Sequence, residues 1–79
     1  MQVAVLKLFE RRHLLVRWQD GFEALVWLYD VDASRPGREL VYDVVSVSNW
    51  GSRAPTAIEA EQAVTSSAAA VASVELVAD

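Results

Sequence analysis

The apolar residues of this chain change their spacing near residue 50. Between Leu14 and Trp50 they alternate with polar residues, the two-residue period of a β-strand. From Thr56 to about Val74 the chain is rich in alanine, and apolar residues recur at helical spacing. The members of that stripe are Ala57, Ala60, Val64, Ala68 and Val71. The two periods predict an α+β fold in which a small antiparallel sheet of four or five strands carries one helix on one face.

The residues that interrupt these periods set the predicted boundaries within one small domain, 1–79. Strands are expected at about 3–9, 13–19, 22–30 and 39–49, a helix at about 56–72, and a short fifth strand at 73–78. The first strand is β-branched and apolar on both sides, although Leu6 and Phe9 would also suit a helix start. Thr56 and Glu59 have the spacing of a helix-capping box, which supports the helix.

A β-hairpin is predicted around Asp20 and Gly21. A three-residue loop, with Gly21 in a left-handed conformation, would place Trp18 opposite Phe22. The same loop would place Arg17 opposite Glu23, whereas a two-residue turn would shift this register by one residue. The three-residue loop is favoured, because it creates an aromatic pair, an ion pair and one wholly apolar face.

In the favoured register the hairpin has an apolar inner face and a mixed outer face. The inner face, which the helix is expected to cover, consists of Leu14, Val16, Trp18, Phe22, Ala24, Val26 and Leu28. The outer face consists of His13, Leu15, Arg17, Glu23, Leu25, Trp27 and Tyr29. Asp43, a charge within an apolar strand, is expected on the outer face too. One helix of about 16 residues covers one face of a small sheet, so the outer face keeps large apolar groups in water, typical of an interaction site.

Three other arrangements of the outer face stay open from the sequence alone. Residues 2–9 or the C-terminal segment could fold across it, the sheet could curl enough to bury it, or two copies of the chain could pair through it. If the face is free, its aromatic residues bordered by charge have the composition of a binding hot spot. The acidic loop after Tyr29 could add to the same surface. The candidate partner-binding residues are therefore Trp27, Tyr29, Leu25, Arg17, Asp30 and Asp32.

Composition narrows the class of protein. The 79 residues are 53% apolar and include three tryptophans, which argues against disorder. There is no cysteine, which excludes disulfides, thiolate metal sites and cysteine nucleophiles. No run of about 18 apolar residues exists to cross a membrane, and the first residues carry their positive charge after the apolar stretch, unlike a signal peptide. A cytoplasmic protein is expected.

The net charge of −4 is unevenly distributed along the chain. Residues 1–19 carry four basic residues and one acidic residue, whereas the remainder carries three basic and ten acidic residues. A nucleic-acid-binding domain normally has the opposite sign, so direct binding of nucleic acid is not expected. An acidic domain is attracted to basic surfaces of other proteins, although the same charge can serve solubility alone.

No group of residues has the spacing of a catalytic, cofactor-binding or metal site. His13 is the lone histidine, and the three glycines stand at separate turns and not in a phosphate-binding loop. Asp30 and Asp32 alternate like the first ligands of a calcium loop. However, Arg35 and Val41 stand where that loop needs glycine and glutamate. The chain is therefore predicted to be neither an enzyme nor a metalloprotein, and no cofactor is expected.

In format the chain resembles the anti-CRISPR proteins and other host-takeover inhibitors of phages, which are small, acidic and cysteine-free and combine a small sheet with one helix. The segments that carry the resemblance are FEALVWLYDVD, RELVYDVVSV and TAIEAEQAV. The resemblance implies a non-catalytic protein that binds another protein or a ribonucleoprotein complex in the host cytoplasm and blocks access of nucleic acid. It identifies no single position as functional.

Two alternatives are also consistent with the sequence. A short sheet followed by an alanine-rich helix, with Glu59 and Ala60 in it, resembles the partial ribonuclease fold of HicB-type antitoxins. Those proteins usually carry an additional DNA-binding segment, for which this sequence shows no counterpart. The other alternative is a homodimeric structural protein that has no partner except itself.

Overall fold

A computed structural model describes residues 1–55 and 63–77, which form a five-stranded antiparallel sheet with one short helix. The strands are β1 (Arg12–Trp18), β2 (Glu23–Val31), β3 (Leu40–Asn49), β4 (Val64–Ser66) and β5 (Val71–Leu76). Across the sheet they lie in the order β4-β3-β2-β1-β5. The helix, α1 (Val3–Leu6), continues into a 3-10 turn at Lys7–Phe9, and a second 3-10 turn at Ala68–Ala70 precedes β5. The predicted α+β class is confirmed.

The hairpin of β1 and β2 has the predicted register. Arg17 lies opposite Glu23, and Gly21 has a φ of +87°, a conformation that glycine adopts without steric cost. The Asp20 carboxylate accepts a hydrogen bond from the Phe22 amide at 3.1 Å, which closes the loop locally. The turn chemistry in the sequence therefore sets which side chains share a face.

The core lies on the inner face of the sheet. All seven predicted inner-face residues are buried, and none exposes more than 4% of its surface. The core extends onto β3 through Leu40 and Tyr42. The Trp18 ring at its centre lies 5.3 Å, between centroids, from the rings of both Phe22 and Tyr42. The indole Nε1 of Trp18 donates to Ser66 Oγ at 3.0 Å, so its polar atom is satisfied within the core.

The predicted strand at 3–9 is wrong, because these residues form α1 and the following 3-10 turn. Leu6 is 1% exposed in the core, and Met1, Val3 and Phe9 pack against the same cluster. Residues three apart on a helix share one side, so Leu6 and Phe9 both reach the inner face of the sheet. The N-terminal segment thus covers the face that the predicted helix was expected to cover.

The predicted helix at 56–72 is wrong over the part that the structure describes. Residues 56–62 lie outside the described residues, and from Val64 the chain forms β4, a 3-10 turn and β5. Alanine favours helix locally, but its small side chain buries little apolar area. Strand pairing and hydrogen bonds to distant residues instead decide the path of this segment. The short strand predicted at 73–78 is present as β5, which begins two residues earlier.

Two long-range anchors hold the turn before β5. The amino group of Met1 donates to the carbonyls of Ala68 and Val71 at 2.8 and 2.9 Å. Glu39 accepts hydrogen bonds from the Ala68 amide at 2.9 Å and from the Gly37 amide at 2.7 Å, each at a different carboxylate oxygen. Because these bonds favour the charged carboxylate, they hold the pKa of Glu39 below its ordinary value of 4.5.

The hydrogen bonds of Glu39 are expected to make the melting temperature depend on pH. The pKa of Glu39 is lower in the folded state, so its stabilisation is fully present above the ordinary pKa of 4.5 and is lost as the pH falls through the lowered value. Glu39→Gln has one acceptor oxygen and retains only one of the two bonds. Its melting temperature should lie below that of the wild type at neutral pH, and the gap should close as the solution is acidified below 4.5. A gap that stays constant with pH would contradict the role of the charge.

Candidate protein-binding face

The outer face of the sheet lies on the side opposite to the segments that close the core. Tyr29 is 45% exposed there, and Leu15, Leu25 and Trp27 are half-buried. Residues 1–9, which could have crossed this face, lie on the inner face instead. The outer face therefore presents large apolar side chains at the surface of the described chain.

Cross-strand pairing joins these side chains into one continuous strip. Leu15 lies opposite Leu25, and His13 lies opposite Trp27. The His13 and Trp27 rings are 4.8 Å apart between centroids, and the Trp27 and Tyr29 rings meet edge to face at 6.5 Å. We call Leu15, Leu25, Trp27 and Tyr29 the apolar band. The structure thus brings together three of the predicted partner-binding residues and adds Leu15.

An ion pair borders one end of the apolar band. The Nε and Nη2 atoms of Arg17 both donate to Glu23 Oε2, at 2.9 and 2.7 Å, which confirms the predicted pair. The hydrogen bond from Arg17 holds the pKa of Glu23 below its ordinary value. Because the Arg17 side chain is 62% exposed, the pair contributes little to stability and its charges face solvent.

A hydrogen-bonded tyrosine borders the other end. The Tyr29 hydroxyl donates to Asp43 Oδ2 at 2.9 Å, and Asp43 Oδ1 accepts from the Ala63 amide at 2.8 Å. The hydrogen bond to Asp43, together with the charge of that carboxylate, raises the pKa of Tyr29 above 10.0. Asp43 lies opposite Trp27 in the β2–β3 pairing, on the outer face as predicted. Its bond to Tyr29 was not predicted, because it depends on the register across a long loop.

A β-bulge at Tyr29 changes which face the last residues of β2 occupy. Leu28 pairs with Tyr42 and Asp30 pairs with Val41, so Tyr29 is an extra residue in β2. Strict alternation would put Val31 on the same face as Tyr29. Instead Val31 is fully buried, while Tyr29 is exposed. The bulge therefore returns the strand to the core after the tyrosine.

The acidic loop after the band carries its own counter-charge. Arg35 Nη2 lies 3.0 Å from Asp30 Oδ2, and Arg35 Nη1 lies 3.2 Å from Asp32 Oδ2. The pKa of Asp30 is lowered chiefly by Arg35, and that of Asp32 chiefly by hydrogen bonds from Ser34. Arg35 was not predicted as their partner, although its spacing of three residues from Asp32 was a usable signal. The two carboxylates thus also serve the structure of their own loop.

Across residues 1–55 and 63–77, no cluster of three or more His, Cys, Asp or Glu side chains could hold a metal ion. No helix within those same ranges is long and apolar enough to span a membrane. Neither a protein-family model, nor a curated protein, nor a solved structure matches this chain. Function is therefore inferred from the geometry of the outer face.

Proposed function

We propose that this protein is a small, non-catalytic, acidic binding protein whose outer face docks another protein. The apolar band is the observation that supports the proposal most directly. It places four large side chains side by side on a sheet whose other face is already closed by residues 1–9. An aromatic centre with a charged rim is the usual anatomy of a protein–protein interface.

The dimensions of the molecule suit an interface of ordinary size. Its two longer extents are 29 Å each, and a stable interface buries about 800 Å² on each partner. An interface of this size would therefore extend over most of the outer side of the molecule, loops included. The half-buried Trp27 would lie near its centre, where hot-spot residues concentrate.

The charge around the apolar band indicates which kind of partner surface would bind there. The carboxylates of Glu23, Asp30, Asp32 and Asp43 outnumber the guanidinium groups of Arg17 and Arg35 at this rim, and the whole chain has a net charge of −4. Such a rim attracts a basic surface and repels phosphate. Proteins that bind nucleic acid present basic surfaces. A nucleic-acid-binding protein or ribonucleoprotein complex, the target class of the phage inhibitors that the chain resembles in format, is thus the partner that we propose.

A toxin–antitoxin function is less well supported. Its resemblance depended on an alanine-rich helix after the sheet, and the described part of that segment, from residue 64, forms β4, a 3-10 turn and β5. The apolar band owes nothing to that helix, so the binding proposal does not depend on it.

Substitution of the apolar band tests the proposed function. We expect the double variant Trp27→Ala, Tyr29→Ser to lose at least about 30-fold in partner affinity, because removal of a hot-spot residue costs about 2 kcal/mol or more. The bait should carry its tag after Asp79, since the amino group of Met1 is hydrogen-bonded. The measurement is capture of purified basic ribonucleoprotein complexes, with circular dichroism to check the fold.

Two matched variants control this experiment. Leu8→Ser removes a side chain that is 78% exposed on the N-terminal segment, and it should leave partner affinity unchanged. Tyr29→Phe keeps the ring and loses only the bond to Asp43, so it should retain most of the affinity. Equal loss in Leu8→Ser would place the interface on the other side of the molecule. A dimer in light scattering that the double variant converts to monomer would show that the partner is a second copy of the chain.

A further inference from the structure

Strand β5 forms one edge of the sheet and, within the described part of the chain, pairs with β1 alone. The opposite edge strand, β4, is only three residues long, and a short edge strand is one means by which proteins prevent unwanted pairing. β5 has six residues, Val71–Leu76. It therefore offers another strand a longer row of backbone groups than β4 does.

The hydrogen bonds of β5 show which backbone groups point outward. The Val77 amide donates to the His13 carbonyl, so Val77 faces β1. In an antiparallel pair, alternate residues turn their N–H and C=O groups toward the neighbouring strand. Glu75 therefore faces β1 as well, while the backbone groups of Val74 and Leu76 point away from the sheet. These four groups form a ready site for an additional strand.

Few of the usual protective features occur along this edge. Residues 73–77 contain neither proline nor lysine, the residues that most often block pairing at edge strands. The one irregularity, between Arg17 and Trp18 in the pairing with β1, lies at the start of β5. The Leu76 side chain is 48% exposed, so an added strand would also cover apolar surface.

A depression beside β5 on the outer face contributes charged side chains to this edge. It has a volume of about 310 Å³ and is lined by Leu15, Arg17, Glu23, Ser73, Val74 and Glu75. Two carboxylates and one guanidinium line it, and the guanidinium is already paired with Glu23. The exposed carboxylate of Glu75 is thus the group best placed to receive a cation. The small Ser73 leaves room for a long side chain beside it.

We propose that an extended segment of the protein partner adds to β5 as a sixth strand and places a basic side chain in this depression. The inference rests on the proposed function, since it specifies how the protein partner is held. Side chains of a strand alternate between faces, so the segment would alternate basic residues near Glu75 with apolar residues beside Val74 and Leu76. A second copy of β5 would fit poorly, because it would bring another Glu75 and no basic residue.

A synthetic peptide tests the edge directly with the full chain. The probe is a capped peptide of alternating lysine and valine, about seven residues long, the usual length of a strand. Its binding should slow hydrogen exchange of the Val74 and Leu76 amides by about tenfold or more, because both would become hydrogen-bonded. A peptide of alternating glutamate and valine should leave the exchange unchanged. Equal slowing by both peptides, or slowing by neither, would overturn the proposal.

Two variants test separately how the backbone groups of β5 and the charge of Glu75 contribute to peptide binding. Leu76→Pro removes an outward N–H without interrupting the bonds to β1, and it should abolish binding of the lysine–valine peptide. Glu75→Lys, at an exposed position, should keep the fold, weaken that peptide about tenfold and favour the glutamate–valine peptide. Unchanged affinity in Glu75→Lys would overturn the proposal, as would a dimer of the wild type that Glu75→Lys alone dissociates. If the peptide fails to bind while partner capture still depends on Trp27 and Tyr29, the sixth strand is wrong and the proposed function stands.

Discussion

Trp18→Ala is expected to remove a large share of the free energy of unfolding of the protein. The indole is 2% exposed, contacts the rings of Phe22 and Tyr42, and donates a hydrogen bond to Ser66. The guanidinium carbon of Arg53 also lies 5.0 Å from the centre of its ring. Removal of a buried tryptophan costs about 3–5 kcal/mol. A chain of 79 residues has about 4–12 kcal/mol of stability in total, so the substitution removes a large share of it.

Urea denaturation followed by circular dichroism measures this loss, and Trp27→Ala is its matched control. The control deletes the same side chain from the outer face, where Trp27 is only half-buried. Its free energy of unfolding should fall by less than half as much, because less apolar area is lost from the folded state. If Trp27→Ala destabilised the protein as strongly as Trp18→Ala, the outer face would be part of the core. The proposed protein-binding face would then be wrong.

Gly51→Ala is expected to reduce the free energy of unfolding by about 2–4 kcal/mol. A Cβ atom at this position would lie 2.5 Å from the Asp20 carbonyl oxygen and 2.6 Å from the Phe22 nitrogen, both in the backbone of the hairpin loop. Forcing extra atoms into a packed site costs about 1–3 kcal/mol. The φ of +58° adds about 1 kcal/mol for a residue with a side chain. The loop cannot easily withdraw, because Arg53 Nε donates to Asp20 Oδ2 at 2.7 Å.

Gly37→Ala is the control for Gly51→Ala, because it introduces backbone strain without crowding. Gly37 has a φ of +78°, but no atom lies within 4 Å of the position of its Cβ. Its substitution should therefore cost only the backbone strain, about 1 kcal/mol. Both variants are denatured under the same conditions. The difference between their losses in free energy of unfolding is the cost of crowding at Gly51. Equal losses of free energy of unfolding in both variants would show that the loop at 49–53 does not pack tightly on the hairpin.

The parts of the fold that were predicted well depend on contacts between residues close in sequence. The Asp-Gly loop, with Gly21 left-handed, sets the register of β1 and β2. Two-residue alternation then assigns the side chains from Leu14 to Tyr29 to a face. For this reason the sequence predicted the members of the inner face, the Arg17–Glu23 pair and the place of Trp27 on the outer face.

The parts that were predicted wrongly have local preferences that distant contacts override. The β-branched residues of 3–9 favour a strand, yet the helical turn lets Leu6 enter the core. Alanine in 63–72 favours a helix, yet Ser66 bonds to Trp18 and Ala68 bonds to Glu39. An alanine-rich segment buries little apolar area, so a small number of tertiary hydrogen bonds decides its conformation.

The amino-acid sequence alone determined the hairpin, its apolar inner face and the surplus of apolar residues on its outer face, because turn chemistry and alternation act over a few residues. Only the tertiary structure decided that residues 1–9 close the core, that Tyr29 bonds to Asp43, and that β5 forms an edge beside a charged depression. These features join segments far apart in the chain. Their geometry depends on strand order and on bulges, which no local pattern in the sequence encodes.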